Sequence, residues 1–429
     1  MIDHHAHNHA DHETAHAHRR SGSALMLIST AHAINHAQSA LKPLVYPLVL
    51  IELGFGYAEL GIMLGVASAV GGSLQLAAGA LGRVIRRHLL LGFGNAFVGT
   101  CFVLVAIAQS FSQFFLWTVL SRVGGAAQHP VGSALLSHHF ERKHLATALA
   151  AHFTAGNIGT AFVPLLAGIL IGLWGWRITT ALFAVPAILV GLAMCAFLQD
   201  PRAPEEEAHR TEASFWQDSK LAMRNVNLRW ILVASVIAAG GSGHGIVSTF
   251  LPLYLSHNLG MESTTVGLVF TAMMVGSIVG PLLGGRLADR FHPQKVLLGA
   301  YVLATMTAIS FPWAGANILS TSAAALVLGA GAFGTHPILQ TMVVQVTDDR
   351  LRDMGFAWFY TATFVAGAVW SPAVGYIAEF LGLTAVFGAM AASFVLASAC
   401  VMLGRLQEID LDDGQTAEVR TDKEKNGRG

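Results

Sequence analysis

The chain has 429 residues, of which 54% are hydrophobic and only 12% charged, about half the charged share of an average soluble domain. Twenty-five basic residues balance twenty-five acidic ones, so net charge gives no case for a nucleic-acid partner. Cys101, Cys195 and Cys400 stand far apart within apolar runs, which argues against a disulfide scaffold or a thiolate metal site.

Residues 1–22 form a low-complexity tail in which His4, His5, His7, His9, His12, His16 and His18 are interspersed with acids and alanines. Such a tract binds divalent transition metals without a fixed geometry and need not fold to do so. Apolar stretches long enough to cross about 30 Å of hydrocarbon follow at 24–50, 57–81, 89–109, 113–138, 145–172 and 178–198. A hydrophilic break over 200–228 reads as a linker. Six further stretches at 230–255, 264–287, 296–315, 318–346, 354–379 and 383–404 precede a charged tail at 406–429. The pattern predicts an all-α membrane protein with twelve transmembrane helices in two pseudo-symmetric six-helix bundles, 23–199 and 229–405. Loop lysines and arginines collect at alternate breaks, Arg177 being the exception. By the positive-inside rule both tails and the linker are therefore cytoplasmic, at an inner (plasma) membrane.

The halves repeat at a shift of 206 to 208 residues: His129-Pro130 returns as His336-Pro337, Gly159 and Pro164 as Gly367 and Pro372, His36 as His244, and Gly54 and Gly61 as Gly260 and Gly267. Two parallel six-helix repeats with a substrate site near the midplane are the plan of a secondary transporter. No GxxxxGK[ST] string occurs, so an on-chain ATP motor is not expected. Neither an enzyme activity nor a cofactor is implied.

No Asp or Glu stands in the middle of a span; Glu52, Glu59, Glu262 and Glu379 fall at the outer ends. The spans instead contain His32, His36, His129, His152, His244 and His336, with Lys42 and Arg122. Ionisable groups inside a membrane are costly and mark function, and histidine, with an unperturbed pKa of about 6.5, can exchange protons. His36 and His129 beside Arg122 are the first candidates for proton coupling. Phe153, Tyr360, Phe364 and Trp370 are candidates for an apolar substrate wall, whereas Tyr57, Trp117, Trp174 and Trp176 read as interfacial anchors.

Gly285-Arg286-Leu287-Ala288-Asp289-Arg290 resembles the cytoplasmic loop signature of the major facilitator superfamily. The equivalent first-half loop keeps Arg83 but has Gly82 in place of the acid. The likeness implies that Arg83, Gly285, Asp289 and Arg290 gate the inner side through charge pairs that break on opening. Leu120-Ser121-Arg122-Val123-Gly124-Gly125 is similar to the superfamily's fourth-helix exporter signature, in which the arginine is tied to proton coupling. Gly156-Asn157-Ile158-Gly159, Pro164 and Gly168 resemble the helix-bending antiporter signature of the fifth helix, with Val163 where glycine is usual.

Within the superfamily the likeness is strongest to the fosmidomycin-resistance type of drug exporter, through His32, Asn35, Gln38 and Ser39, Tyr46-Pro47-Leu48, Ser73-Leu74-Gln75 and His129-Pro130. This chain departs in having His36 where that group carries Asp, and Val131-Gly132 where an acid follows His-Pro. The resemblance adds Asn35, Gln38, Gln75 and Asn157 to the cavity candidates. It implies a monomer that exports a small organic molecule by alternating access, in exchange for protons. Two other readings stay open: a Ni²⁺, Co²⁺ or Zn²⁺ exporter using the tail and the intramembrane histidines, and a transporter-like sensor without flux.

Overall fold

In hydrocarbon every backbone N–H and C=O must be paired within the chain, so apolar runs of this length have the helix as their local solution. A computed structural model describes residues 3–140, 142–200, 212–348 and 351–403, without the side chains of 3–20, 212–215 and several positions near helix ends. All the described elements are helical. The first three spans are α1 (Asp3–Leu53), α2 (Tyr57–Val84) and α3 (Arg87–Ala106). The fourth is broken into α4 (Phe111–Gly125) and α5 (Gln128–His139), and α6 (Arg142–Phe197) carries the fifth and sixth. The linker contributes α7 (Glu212–Ala222).

In the second half the seventh span is α8 (Val226–Ala238), a 3₁₀ turn at Ala239–Gly241, and α9 (Ser248–Leu253) between π-helical turns Gly243–Val247 and Tyr254–Asn258. The last five spans are α10 (Ser263–Arg290), α11 (Pro293–Ser310), α12 (Ile318–Val346), α13 (Arg352–Leu381) and α14 (Leu383–Leu403). Among the described residues nine helical stretches are long and apolar enough to cross a membrane, and Thr147–Phe197, at 51 residues, is long enough to cross twice. With that stretch taken as two crossings, α1 and the broken α4–α5 complete the expected twelve.

The histidine-rich stretch continues α1 back to Asp3. It is rich in alanine, and neither glycine nor proline interrupts it before Gly22, so propensity does not stop the helix. The side chains of His4, His5, His7, His9, His12, His16 and His18 lie outside the described residues, as does the 406–429 tail. Trp176, expected as an interfacial anchor, is only 4% exposed, and its indole donates to Glu52 Oε2 at 2.5 Å.

The backbone repeats as the sequence does. Gly54 (φ 66°) and Gly260 (φ 62°) turn the chain after the first and seventh spans, and Gly175 (φ 75°) and Gly382 (φ 85°) after the fifth and eleventh. Only glycine takes this left-handed conformation freely. All four turns lie on one face of the molecule, the loop face; α7 and the α2–α3 and α10–α11 connections lie on the opposite, terminal face.

Arg177, the one cation out of place in the charge pattern, is held structurally. Its Nη1 donates to the carbonyls of Ala106 and Ala108 at 2.8 and 2.7 Å, satisfying chain-end acceptors of α3. Its Nη2 pairs with Glu52 at 2.8 Å, and the guanidinium lies 4.4 Å from the Trp176 ring centroid. The hydrogen bond from Trp176 is the main influence holding the Glu52 carboxyl below its ordinary range; burial opposes it, and the hydrogen bond and charge of Arg177 add to the lowering.

The two bundles meet at the loop face along two crossings related by the repeat. Where α6 passes α10, a Cβ on Gly168 would lie 2.9 Å from the Gly267 Cα; where α2 passes α13, a Cβ on Gly375 would lie 3.0 Å from the Gly61 Cα. Around them Tyr57 N donates to Glu379 Oε2 at 2.7 Å. The carbonyl of Pro47 can only accept, so His257 donates to it from Nε2 at 2.9 Å. His257 Nδ1 then accepts from the Tyr57 hydroxyl at 2.7 Å.

Two outcomes are expected. Gly61→Val and Gly168→Val each force the loop face apart, at an overpacking cost of about 1–3 kcal/mol to the closed state. In a cysteine-free background, a cysteine at Ser248 should then react faster with an impermeant thiol reagent applied from that face. Arg177→Ala should lower the melting temperature of the purified protein. The loss is about 1 kcal/mol, because the Glu52 pair is more than a third exposed and screened.

Candidate functional site

Between the bundles lies a cavity of about 430 Å³. The first half lines it with Asn35, His36, Gln38 and Lys42 from α1, Gln75 from α2, Arg122 from α4 and His129 from α5. The second half contributes His244 from the first π-helical turn, with Phe270 and Met274 of α10, Phe333 of α12 and Phe364 of α13.

Local sequence explains these placements. The turn that carries His244 is glycine-rich because it packs on aromatic rings: a Cβ on Gly243 would run into Phe333, and one on Gly240 would lie 2.8 Å from Trp370. The Ser248 hydroxyl donates to the Gly243 carbonyl and closes the widened turn. Such π turns interrupt the regular ladder at functional sites. Lys42 reaches Ser121 Oγ at 3.5 Å and lies 5.1 Å from the Phe102 ring centroid. The stem of Arg122 runs past Gly71, where a Cβ would be 3.8 Å away.

Four histidines of the first half form one cluster with His32 at its hub. Ring centroids are 4.2 Å apart for His32 and His152, 4.5 Å for His32 and His36, and 5.2 Å for His32 and His129. His36 Nδ1 is 2.9 Å from Thr160 Oγ1, whose own proton is donated to the Gly156 carbonyl at 3.1 Å. The threonine oxygen therefore accepts, which leaves the proton on His36 Nδ1 and a lone pair on Nε2. His152 is wholly buried, and neither of its ring nitrogens has a partner; His32 Nδ1 also has none. Buried polar atoms are rarely left so.

The fifth-span motif holds this cluster against its neighbours. Gly156 leaves room for the His32 ring, which a Cβ would meet at 2.5 Å, and Gly159 lets the Ala33 carbonyl of α1 approach. Further along α6, the Pro164 carbonyl and Gly168 abut Gly267 of α10.

The remaining candidates are placed elsewhere. His32 and His152 stand behind the cavity wall rather than on it. Asn157 is exposed on α6 and does not line the cavity. His336 is off the cavity as well, against Phe359 at 5.0 Å and accepting from Gln340 at 3.3 Å. Of the expected aromatic wall only Phe364 lines the cavity; Phe153 packs on His32 and His152, Tyr360 accepts from Gln340, and Trp370 donates to the Val236 carbonyl. Gly285, Asp289 and Arg290 lie in the last turns of α10, the latter two exposed and without an ion pair among the described residues. The side chain of Arg83 lies outside those residues. Among the described residues no group of three or more His, Cys, Asp or Glu is arranged to hold a metal ion.

Sequence reasoning missed Thr160, Phe270, Met274 and Phe333, and the loop-face pairing of Tyr57 with His257 and Glu379. Thr160 carried a usable signal, one turn beyond Gly156 on the same helix face. The aromatic and methionine positions carried none that separates a cavity wall from ordinary core.

The Major Facilitator Superfamily model matches residues 28–261 and 238–425. A probable 4-methylmuconolactone transporter of Cupriavidus pinatubonensis is 25% identical over 354 residues, spanning 80% of each chain. The fosmidomycin resistance protein of Escherichia coli is 22% identical over 374 residues, 86% of this chain and 89% of its own. Among solved structures, an inward-facing, occupied bacterial homologue of the human lysosomal transporter Spinster superposes with a TM-score of 0.75 at 14% identity, covering 90% of this chain and 97% of that one. That likeness is one of fold.

Gly156→Val should displace the His32 ring and cost about 1–3 kcal/mol in overpacking. Circular dichroism should stay helical while transport falls, and a compensating His32→Ala in the same chain should restore thermal stability but not transport.

Proposed function

Because the chain belongs to the Major Facilitator Superfamily, we propose that it is a proton-coupled exporter of a small organic compound in which the histidine cluster around His32 carries the coupling proton. The observation that supports this most directly is the position of His36 and His129 on the cavity wall, in ring contact through His32 with the unpartnered His152. No carboxylate is among the residues that line that wall, and histidine is a side chain that exchanges protons near neutral pH. His36 Nε2 is the acceptor available to an incoming proton, and the rings behind it offer places to hold it away from the cavity.

The closed loop face supports a working cycle. With the glycine crossings and the Tyr57, His257, Pro47 and Glu379 bonds in place, access is from the terminal face, which the charge pattern assigns to the cytoplasm together with both termini. Opening the loop face breaks those bonds, and the terminal face then closes through the charged ends at Arg83, Asp289 and Arg290. Export rather than uptake is proposed from the fourth- and fifth-span signatures and from the resistance function in the name of the Escherichia coli relative. The metal-export reading rests on the histidine-rich tail and the intramembrane histidines, and among the described residues no group of three or more His, Cys, Asp or Glu is arranged to hold a metal ion.

Proteoliposomes loaded with a pH-sensitive dye test the reading. Wild-type protein should move protons in response to an organic substrate and drive its flux under an imposed pH gradient. His36→Ala and His129→Ala should each lower gradient-driven flux roughly ten-fold or more, the equivalent of about 1.4 kcal/mol, while exchange without a gradient persists. Unchanged gradient-driven flux in both variants would sink the proposal.

A further inference from the structure

The walls of the central cavity differ in chemistry. The first half contributes two basic side chains, Lys42 and Arg122, beside Tyr46 and Phe102, and the second half contributes Phe270, Met274, Phe333 and Phe364 beside His244. None of the residues lining the cavity is Asp or Glu. The Lys42 ammonium has a hydroxyl, Ser121 Oγ, at 3.5 Å and the face of Phe102 at 5.1 Å. Arg122 follows Ser121 in the chain, and its stem lies beside Gly71 of α2. Neither cation has an acidic partner among the described residues. A hydroxyl and an aromatic face soften a charge but do not cancel it.

The bland account of an intramembrane Lys or Arg is that its stem is buried while its head reaches a membrane interface. That account does not fit here, because both side chains line one internal cavity next to the core of the first bundle. Water can hydrate the two charges while the cavity is empty. A bound molecule displaces that water, and a neutral one would leave two desolvated cations unpaired, which is costly in a low-dielectric site. A cationic one would add repulsion.

Resting on the reading that this cavity is the transport site, we infer that the substrate is a small organic anion whose carboxylate or other oxyanion head sits between Lys42 and Arg122, with an apolar or unsaturated body against Phe270, Met274, Phe333 and Phe364. The arginine fork suits two oxygens at once, while lysine offers a point charge on a mobile stem. The cavity, at about 430 Å³, has room for a compound of this kind.

Binding to purified full-length protein in nanodiscs tests the inference independently of any proton gradient. The probes are benzoate, neutral benzamide and cationic benzylammonium at one fixed pH, read by tryptophan fluorescence and thermal shift. Benzoate is expected to bind at least ten-fold more tightly than either of the others. Arg122→Gln and Lys42→Gln should each weaken benzoate at least ten-fold, and Arg122→Lys should lose less than Arg122→Gln. Gln75→Glu keeps both cations and places a carboxylate one helical turn from Gly71, within the same cavity; it should weaken benzoate by a similar factor in a chain that folds normally. The inference is overturned if benzamide or benzylammonium binds as well as benzoate, or if Gln75→Glu and the two cation variants leave benzoate affinity unchanged. A neutral or cationic compound carried in a proton-driven, His36-dependent way would remove the anion inference and leave the coupling proposal standing. Benzoate binding with no response of flux to a pH gradient would do the reverse.

Discussion

Two places where glycine meets glycine decide how this molecule is assembled. Lipid tails are as apolar as the helices they surround, so no hydrophobic drive holds one bundle to the other, and close backbone approach has to supply the attraction. Gly61 with Gly375, and Gly168 with Gly267, are positions where the bundles pack backbone against backbone at the loop face, and the repeat exchanges one pair for the other. With the halves joined there, the space left between them is the central cavity. Side chains then add direction to a contact that glycine makes feasible: Glu379 reaches the start of α2, and His257 joins Tyr57 to the Pro47 carbonyl.

The halves share a backbone plan but not a chemistry. Their turn glycines recur at matching positions with matching left-handed geometry, as a rocking pair of bundles needs. Their histidines recur in sequence but not in surroundings. His36 and its counterpart His244 both line the cavity, yet His36 belongs to a four-ring cluster while His244 meets the edge of Phe333 at 4.6 Å. His129 is on the wall, whereas its counterpart His336 is turned toward Gln340 and Phe359. The first half thus holds the lysine, the arginine and the histidine cluster, and the second supplies most of the aromatic surface together with His244. Symmetric motion and asymmetric chemistry are compatible because the first depends on helix crossings and the second on a few inward positions.

Much of this was legible in the chain. Span lengths, the central break, the shift between halves and the loop cations gave the helical membrane architecture, since hydrocarbon thickness and backbone satisfaction leave few alternatives. The set of polar residues within spans was equally plain, because each is conspicuous against apolar neighbours. Less legible were features where one residue type serves two ends. Trp176 reads as an interfacial tryptophan, but only the fold brings Glu52 to its indole. Arg177 reads as an exception to the charge pattern until the ends of α3 and α1 are seen beside it. Asn157 sits in a motif with Gly156 and Gly159, but helical rotation turns it away from the cavity.

The sequence by itself determined that this is a twelve-span, two-half membrane protein whose interior carries histidines, one lysine and one arginine in place of carboxylates. Only the tertiary structure decided which of these meet. His32 and His152 are separated by 120 positions in the chain and by 4.2 Å in space, because Gly156 and Gly159 let α6 close on α1. His336, equally conspicuous in sequence, is left out of that cluster. The physical reason is that a span's length and polarity are written locally, while the face a residue presents depends on helix rotation and crossing, which small residues on other helices set.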